Sequence, residues 1–193
     1  MSLIDEDEAL IAAALNGSAF AWEKLVKRYE SKIYNHGLRL MGNSSDAMDL
    51  MQEVFLGVYR NLHRFRGDAK FSSWIFRIAH NKAVDLNRRK RILSTGASDG
   101  DDEDGFENFA IDQSEEPDYR LESSQHNKQI LGLLSSLPFE QRLIVELKVF
   151  QSQTFEEIAE VQGISVNTAK TRFYSALRKL KVVTEESHVL PQN

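Results

Sequence analysis

Near the end of the chain, Asn167, Thr168, Lys170, Thr171, Tyr174, Ser175 and Arg178 fall on one face of a helix when counted at 3.6 residues per turn. These are hydrogen-bonding side chains on the N-terminal half of the helix. They can donate to and accept from base edges in the DNA major groove. The opposite face, Val166, Ala169, Phe173, Ala176 or Leu177, and Leu180, is apolar and predicts a buried stripe. A second group mixes rings with cations: Phe65, Arg66, Asp68, Lys70 and Phe71, then Phe76, Arg77, His80, Asn81 and Arg88. Rings among cations suit a single nucleic-acid strand, because bases stack on rings while cations track phosphates. Against this stands a plainer reading in which Phe71, Trp74 and Phe76 are core. A third group, Asp49, Gln52, Glu53, Leu56 and Arg60, recurs at three to four residues. It is either a solvated charged face or a docking strip for a basic or mixed partner helix, with Leu56 as apolar anchor.

The first group depends on a particular turn. Thr154 can cap one helix, with Glu157 completing a capping box. Ile158, Ala159 and Val161 supply its inner face. Gly163 can take the left-handed conformation that ends a helix, Ile164 can plug the corner, and Ser165 can cap the next helix. This is the helix-turn-helix pattern, whose second helix enters the major groove.

Helical periodicity dominates the rest. A short helix is expected near 6–15 and a longer one over 18–41, with Phe20, Trp22, Leu25, Val26, Tyr29, Ile33, Leu38 and Leu40 apolar. A third runs from Ser44 or Ser45 to about His63, burying Ala47, Leu50, Met51, Val54, Phe55, Val58 and Leu62. After a loop at 66–70, a fourth runs from Ser72 or Ser73 to about Arg91. There Ile75, Ile78, Ala79 and Leu86 face the core, while Phe76, His80, Ala83 and Asn87 form another face. Helices are then expected over 119–134 and, behind Pro138, over 139–150. The fold class is all-α. Two small helical domains, 1–92 and 118–183, are joined by a flexible acidic linker, 93–117, and followed by a short tail, 184–193.

The 193 residues carry a net charge of −5, which seems hostile to DNA until the charge is located. Eleven acids lie between 94 and 122 against Arg120 alone, so the remainder of the chain is net positive. The positive charge concentrates in 77–91 and 163–181, where local basic surface attracts phosphates. Cysteine is absent, which excludes disulfides and thiolate metal sites. No apolar run approaches the ~20 residues of a membrane span, so no membrane insertion and a cytoplasmic location are expected. His80 has no Asp or Ser partner at catalytic spacing, and Asp85 is placed to pair with an Arg. No catalytic residue, metal site or cofactor is expected.

In this order, the segments resemble the extracytoplasmic-function group of bacterial sigma factors. DAMDLMQEVF is similar to the group's core-polymerase-binding signature. FSSWIFRIAHNKAVDLNRRKR resembles the segment that melts and reads the −10 element, and residues 137–180 resemble the domain that reads the −35 element. The resemblance implies RNA polymerase core as partner, through the clamp helices of the largest subunit and the flap of the second-largest. Promoter DNA and an anti-sigma factor are the other implied partners. Asp49, Gln52, Glu53 and Leu56 match the polymerase contact strip. Residues 65–71 match the loop that captures a flipped base, and Arg77, Asn81 and Arg88 match positions near melted DNA. Lys170, Thr171, Tyr174 and Ser175 match −35 readers. Met48, Gln162, Asn167 and Ser175 depart from the usual pattern: an acid, a hydrophobe, a small residue and often Arg stand at those places. The alternatives are a helix-turn-helix regulator that binds an operator without polymerase, and an all-helical enzyme using His36, His80 or carboxylates.

Overall fold

The computed structural model describes residues 3–95 and 125–189. The expected linker, the start of the helix expected at 119–134, and residues 190–193 lie outside them. The described residues are helical with no strand. They group into two compact units, one taking in 3–37 and 44–95, the other 125–189 with the segment 38–43.

The first unit is built from α1 (Leu3–Leu15), α2 (Ala19–Met41) as far as Gly37, α3 (Ser44–Asn61), a 3-10 turn (Leu62–Arg64) and α4 (Phe71–Thr95). Ser18 caps α2 through a bond from the Ala21 N–H. In α2 the buried positions are Ala21, Leu25, Tyr29, Ile33, Tyr34, His36, Gly37 and Leu40, a stripe that widens towards the end of the helix. Phe20, expected within that stripe, is 66% exposed, with the Lys24 ammonium 4.7 Å from its ring centroid. α3 buries Ala47, Leu50, Met51, Val54 and Val58 of its expected stripe, and Gly57 besides, while Phe55 is half-buried. Gly37 lets α2 and α3 approach closely, since a Cβ there would meet the Ala47 backbone at 3.0 Å. α4 starts earlier and ends later than its sequence suggests.

The second unit contains α5 (Gln125–Ser135), α6 (Phe139–Val145), a π-helical turn (Glu146–Phe150), α7 (Phe155–Gln162) and α8 (Val166–Val189). The continuous helix expected over 139–150 widens instead, and the Gln151 N–H reaches back five residues to the Glu146 carbonyl. Helix α8 runs past the expected boundary at 183. Phe173 packs against two buried clusters at once. One is Leu134, Leu137, Val145 and Ala176; the other is Ile144, Leu147, Ile158 and Ala169. That seat fixes the roll of α8 about its axis and decides which residues point outward.

Candidate nucleic-acid interface

The turn before α8 forms as its residues dictate. Thr154 accepts a bond from the Glu157 N–H, and the Glu157 carboxylate accepts one from the Thr154 N–H, closing the capping box. The Thr154 backbone bond is the main reason the Glu157 carboxyl is held below its usual range. Gly163 ends α7 at φ 65°, in the left-handed region. Ser165 then caps α8 by accepting from the Thr168 N–H at 3.0 Å.

On α8, Ala169 and Ala176 are fully buried, Val166, Phe173 and Leu180 partly, and Leu177 is exposed, so Ala176 takes the inner place. Asn167, Lys170, Thr171, Tyr174 and Arg178 are exposed. Lys170, Thr171, Tyr174 and Arg178, with Leu177 and Lys181, line a shallow open groove. Two expected members of this face are engaged elsewhere. The Thr168 hydroxyl lies 2.8 Å from that of Ser165, and half-buried Ser175 accepts from Gln141 at 3.3 Å. Tyr174 is 56% exposed yet packs its ring on Phe173. Phe155 lies beneath the face, and nothing in its sequence neighbourhood singles it out.

The ring-and-cation group divides. Phe65 is half-buried and meets Phe71 edge-on and Trp74 at a tilt, at centroid separations of 5.4 and 5.5 Å. Arg66, Asp68, Lys70, Arg77, Asn81 and Arg88 are exposed. Phe71, Phe76 and His80, expected among the −10 contacts, are buried, with Phe76 6% and His80 4% exposed. Phe76 therefore belongs to the core, as the plainer reading has it, and Trp74 is only half-buried. The reason is that α4 is packed on a wide arc, so Ile75, Phe76, Ala79, His80 and Ala83 all face inward. Burial, with the nearby His36, pushes His80 down to about 4. Phe71 serves as floor, edge-on to Tyr29 at 5.3 Å.

Beside this floor lies an open-sided cavity of about 610 Å³. The loop supplies Phe65, Asp68 and Lys70, while Arg28, Tyr29 and Lys32 of α2 and Asp7 and Glu8 of α1 supply the remaining wall. Arg28 binds Asp7 at 2.8 Å and also pairs with Glu6, and the Tyr29 hydroxyl donates to Asp7 at 2.6 Å. Burial, then the Asp7 bond, raises the Tyr29 phenol above its usual range. Sequence reasoning does not find these wall residues. Their only sign is an acidic first helix paired with a basic second one.

On α3, Asp49, Gln52 and Arg60 are exposed and Leu56 is 48% exposed, so the strip exists as a surface. Glu53 is half-buried and accepts a 2.9 Å bond from Lys82 of α4. Lys82 holds its carboxyl below the usual range, with Arg89 and Arg60 adding to the effect. Tyr59 extends the exposed apolar surface next to Leu56, packed edge-on to Trp22 at 5.3 Å.

A capped helix-turn-helix in one helical unit and a ring-lined cavity beside a basic helix in the other define a two-domain DNA-binding protein. Residues 25–92 match Sigma-70 region 2, and residues 127–180 match Sigma-70 region 4. The ECF RNA polymerase sigma-E factor of Escherichia coli K12 is 30% identical over 172 residues, covering 88% of this chain and 90% of that one. The RNA polymerase sigma-H factor of Pseudomonas aeruginosa is 29% identical over 174 residues, covering 89% and 90%. The chain belongs to the extracytoplasmic-function group of RNA polymerase sigma factors. Its fold is also that of the Bartonella quintana sigma factor RpoE solved with the anti-sigma factor NepR. The TM-score is 0.63 at 20% identity, over 84% of this chain and 96% of that one. CnrH, solved with the cytosolic domain of CnrY, gives 0.61 at 24% identity, over 94% and 98%. As a sigma factor the chain binds RNA polymerase core and directs promoter-specific initiation. No described helix is long and apolar enough to cross a membrane.

Proposed function

We propose a division of this activity among three surfaces. Asp49, Gln52, Glu53 and Leu56 dock on the clamp helices of the largest polymerase subunit. The loop at 65–70 and the cavity behind it take an unstacked base of the melted −10 element, while Arg77, Asn81 and Arg88 contact the strand around it. Lys170, Thr171, Tyr174 and Arg178, with Asn167, read the −35 element from the major groove. Thr168 and Ser175 act at the edge of that face, and Phe71, Phe76 and His80 hold the −10 surface in shape from beneath. Domains at 1–92 and 118–183 carry the two readings, and the second also meets the polymerase flap.

One observation carries this reading over that of a stand-alone regulator. The exposed strip of α3 has an apolar anchor, Leu56, among polar side chains, and lies on the unit that also holds the −10 cavity. An operator-binding protein has no use for such a strip. The enzyme reading rests on His36, His80 or carboxylates, and of these both histidine rings are buried. The reading is therefore of a non-catalytic factor that works where polymerase and chromosome are. The anti-sigma factor NepR, bound to the Bartonella quintana RpoE, supports an anti-sigma factor as a partner here.

The test is reconstitution. The chain and core polymerase should co-elute at 1:1 and initiate at one start site on a promoter with matched −10 and −35 elements. Tight operator binding by the chain alone, with no gain from polymerase, would overturn the reading.

A further inference from the structure

Glu53 stands where two surfaces of the first unit meet. Its carboxylate accepts from Lys82 of α4 at 2.9 Å, and the Arg89 and Arg60 cations act on the same charge from further away. The arrangement recurs towards the start of α3, where Asp46 pairs with Lys90 of α4. Helix α3 supplies the acids and α4 the bases. Lys82 and Arg89 directly follow Asn81 and Arg88 in sequence, and one residue along a helix is a 100° step around it. The two cations therefore occupy the edge between the promoter-facing side of α4 and the side covered by α3. The Lys82 side chain is 31% exposed while paired, so the contact lies near the surface and not in the core.

We propose that Lys82, Arg89 and Arg60 form a binding patch for the phosphate backbone of the promoter strand beside the −10 cavity, and that Glu53 masks it in the free chain. This rests on the reading of α3 as the docking strip. When a cationic or hydrogen-bonding group of polymerase takes the Glu53 carboxylate, Lys82 loses its partner and turns to DNA phosphate. A half-exposed pair of this kind is weak enough to exchange. A phosphate backbone rewards a released lysine with counterion displacement as well as attraction. A polymerase group that engages this carboxylate competes with Lys82 for its charge, so polymerase docking and DNA affinity are coupled through one side chain.

The test measures affinity for fork-junction DNA carrying a single-stranded −10 segment, over a salt series, with the free chain and with holoenzyme. Lys82→Ala should weaken the already weak binding of the free chain far less than that of holoenzyme. In holoenzyme it should weaken binding several-fold and make the log–log salt slope shallower by roughly 0.7–0.9, the contribution of one phosphate contact. Lys82→Arg should restore both. Glu53→Gln should raise the affinity of the free chain, and Glu53→Gln with Lys82→Ala should abolish that gain. Equal loss from Lys82→Ala in free chain and holoenzyme, or none in holoenzyme, overturns the proposal. So does loss of core affinity in Lys82→Ala, which would turn Lys82 towards polymerase and leave the docking strip standing. If circular dichroism shows Glu53→Gln to be misfolded, the Lys82 pair of variants decides alone. Failure of the docking reading is seen separately, as unchanged core affinity in Asp49→Lys.

Discussion

The ammonium of Lys170 lies 5.9 Å from the centroid of the Phe155 ring, across the turn that joins α7 to α8. Phe155 opens α7, and Lys170 sits early in α8 on the outward face. The same ring packs edge-on against Phe173 at 5.5 Å and lies 6.3 Å from Tyr174. At the outer limit for a cation–ring contact, it gives Lys170 direction more than stability. One aromatic ring thus joins the core of the second unit to two of its base-reading candidates.

Lys170→Ala should therefore cost about 1–3 kcal/mol of −35 recognition and relax preference at one position, provided the ammonium meets a base edge. Phe155→Leu should keep the fold but loosen the same preference, because Lys170 and Tyr174 lose their common support. A randomised −35 library transcribed by each holoenzyme checks this. Uniform loss across all −35 variants, with a shallower salt slope, would assign Lys170 to phosphate instead.

Docking makes a second prediction, altered by the Glu53–Lys82 pair. Asp49 is exposed and Leu56 is an exposed anchor, so Asp49→Lys and Leu56→Ala act on the surface without disturbing the core. Each should weaken core binding, with Asp49→Lys costing about 2–5 kcal/mol if its partner is left desolvated. Glu53→Lys is a poorer probe, since it also places a cation against Lys82. Fluorescence anisotropy with labelled core polymerase reads the affinity, and intact circular dichroism must accompany the loss.

Local rules make much of this molecule legible. Thr154, Glu157, Gly163 and Ser165 form the caps their types predict, because capping is decided within four residues. The α3 stripe is equally plain, since its 3–4 spacing has one apolar side. On α4 the sequence does not separate core from binding surface. Apolar and polar candidates fall on both of its flanks, and burial depends on how many neighbours cover it. Phe76 and His80, candidates for DNA contact by their place among the cations, are consequently found buried. Long-range pairs such as Glu53–Lys82 and Arg28–Asp7 also escape sequence reasoning, because a surface charge does not announce which distant charge it will meet.

His80 predicts a pH dependence of stability. The folded ring titrates near pH about 4, against an ordinary 6.5, because burial disfavours its cation. Between those values the unfolded chain binds more protons than the folded one, so stability falls as pH drops from about 6.5 towards 4. A tenfold difference in proton affinity between the folded and unfolded chain corresponds to about 1.4 kcal/mol, so the loss should reach roughly a few kcal/mol. His80→Leu should flatten this dependence, while carboxylate titration stays common to both proteins. Trp22 and Trp74 both lie in the first unit and report its urea unfolding at pH 7 and pH 5. Equal pH sensitivity in the two proteins would mean that His80 is protonated in place.

Gln162 offers the opposite case, a position where the chain should gain stability. It stands at the end of α7, where a hydrophobe would pack the turn, and both polar atoms of its side-chain amide are sealed from solvent without a protein hydrogen-bond partner. Leaving such a group unpaired costs about 1–3 kcal/mol, whereas an apolar group of similar size has nothing to satisfy. Gln162→Leu should recover about 1 kcal/mol of this. For a domain of this size that corresponds to a rise of about 4–8 °C in the Tm of the second unit by calorimetry. Thr154→Ala supplies the control of opposite sign, since it removes the capping box at the other end of the same short helix and should cost about 1 kcal/mol. Neither change touches the outward face of α8, so −35 preferences in the randomised library should match the parent. A lower Tm for Gln162→Leu would show that the amide is hydrogen-bonded in solution, and that a polar contact, not an unfilled apolar place, holds the corner of the helix-turn-helix.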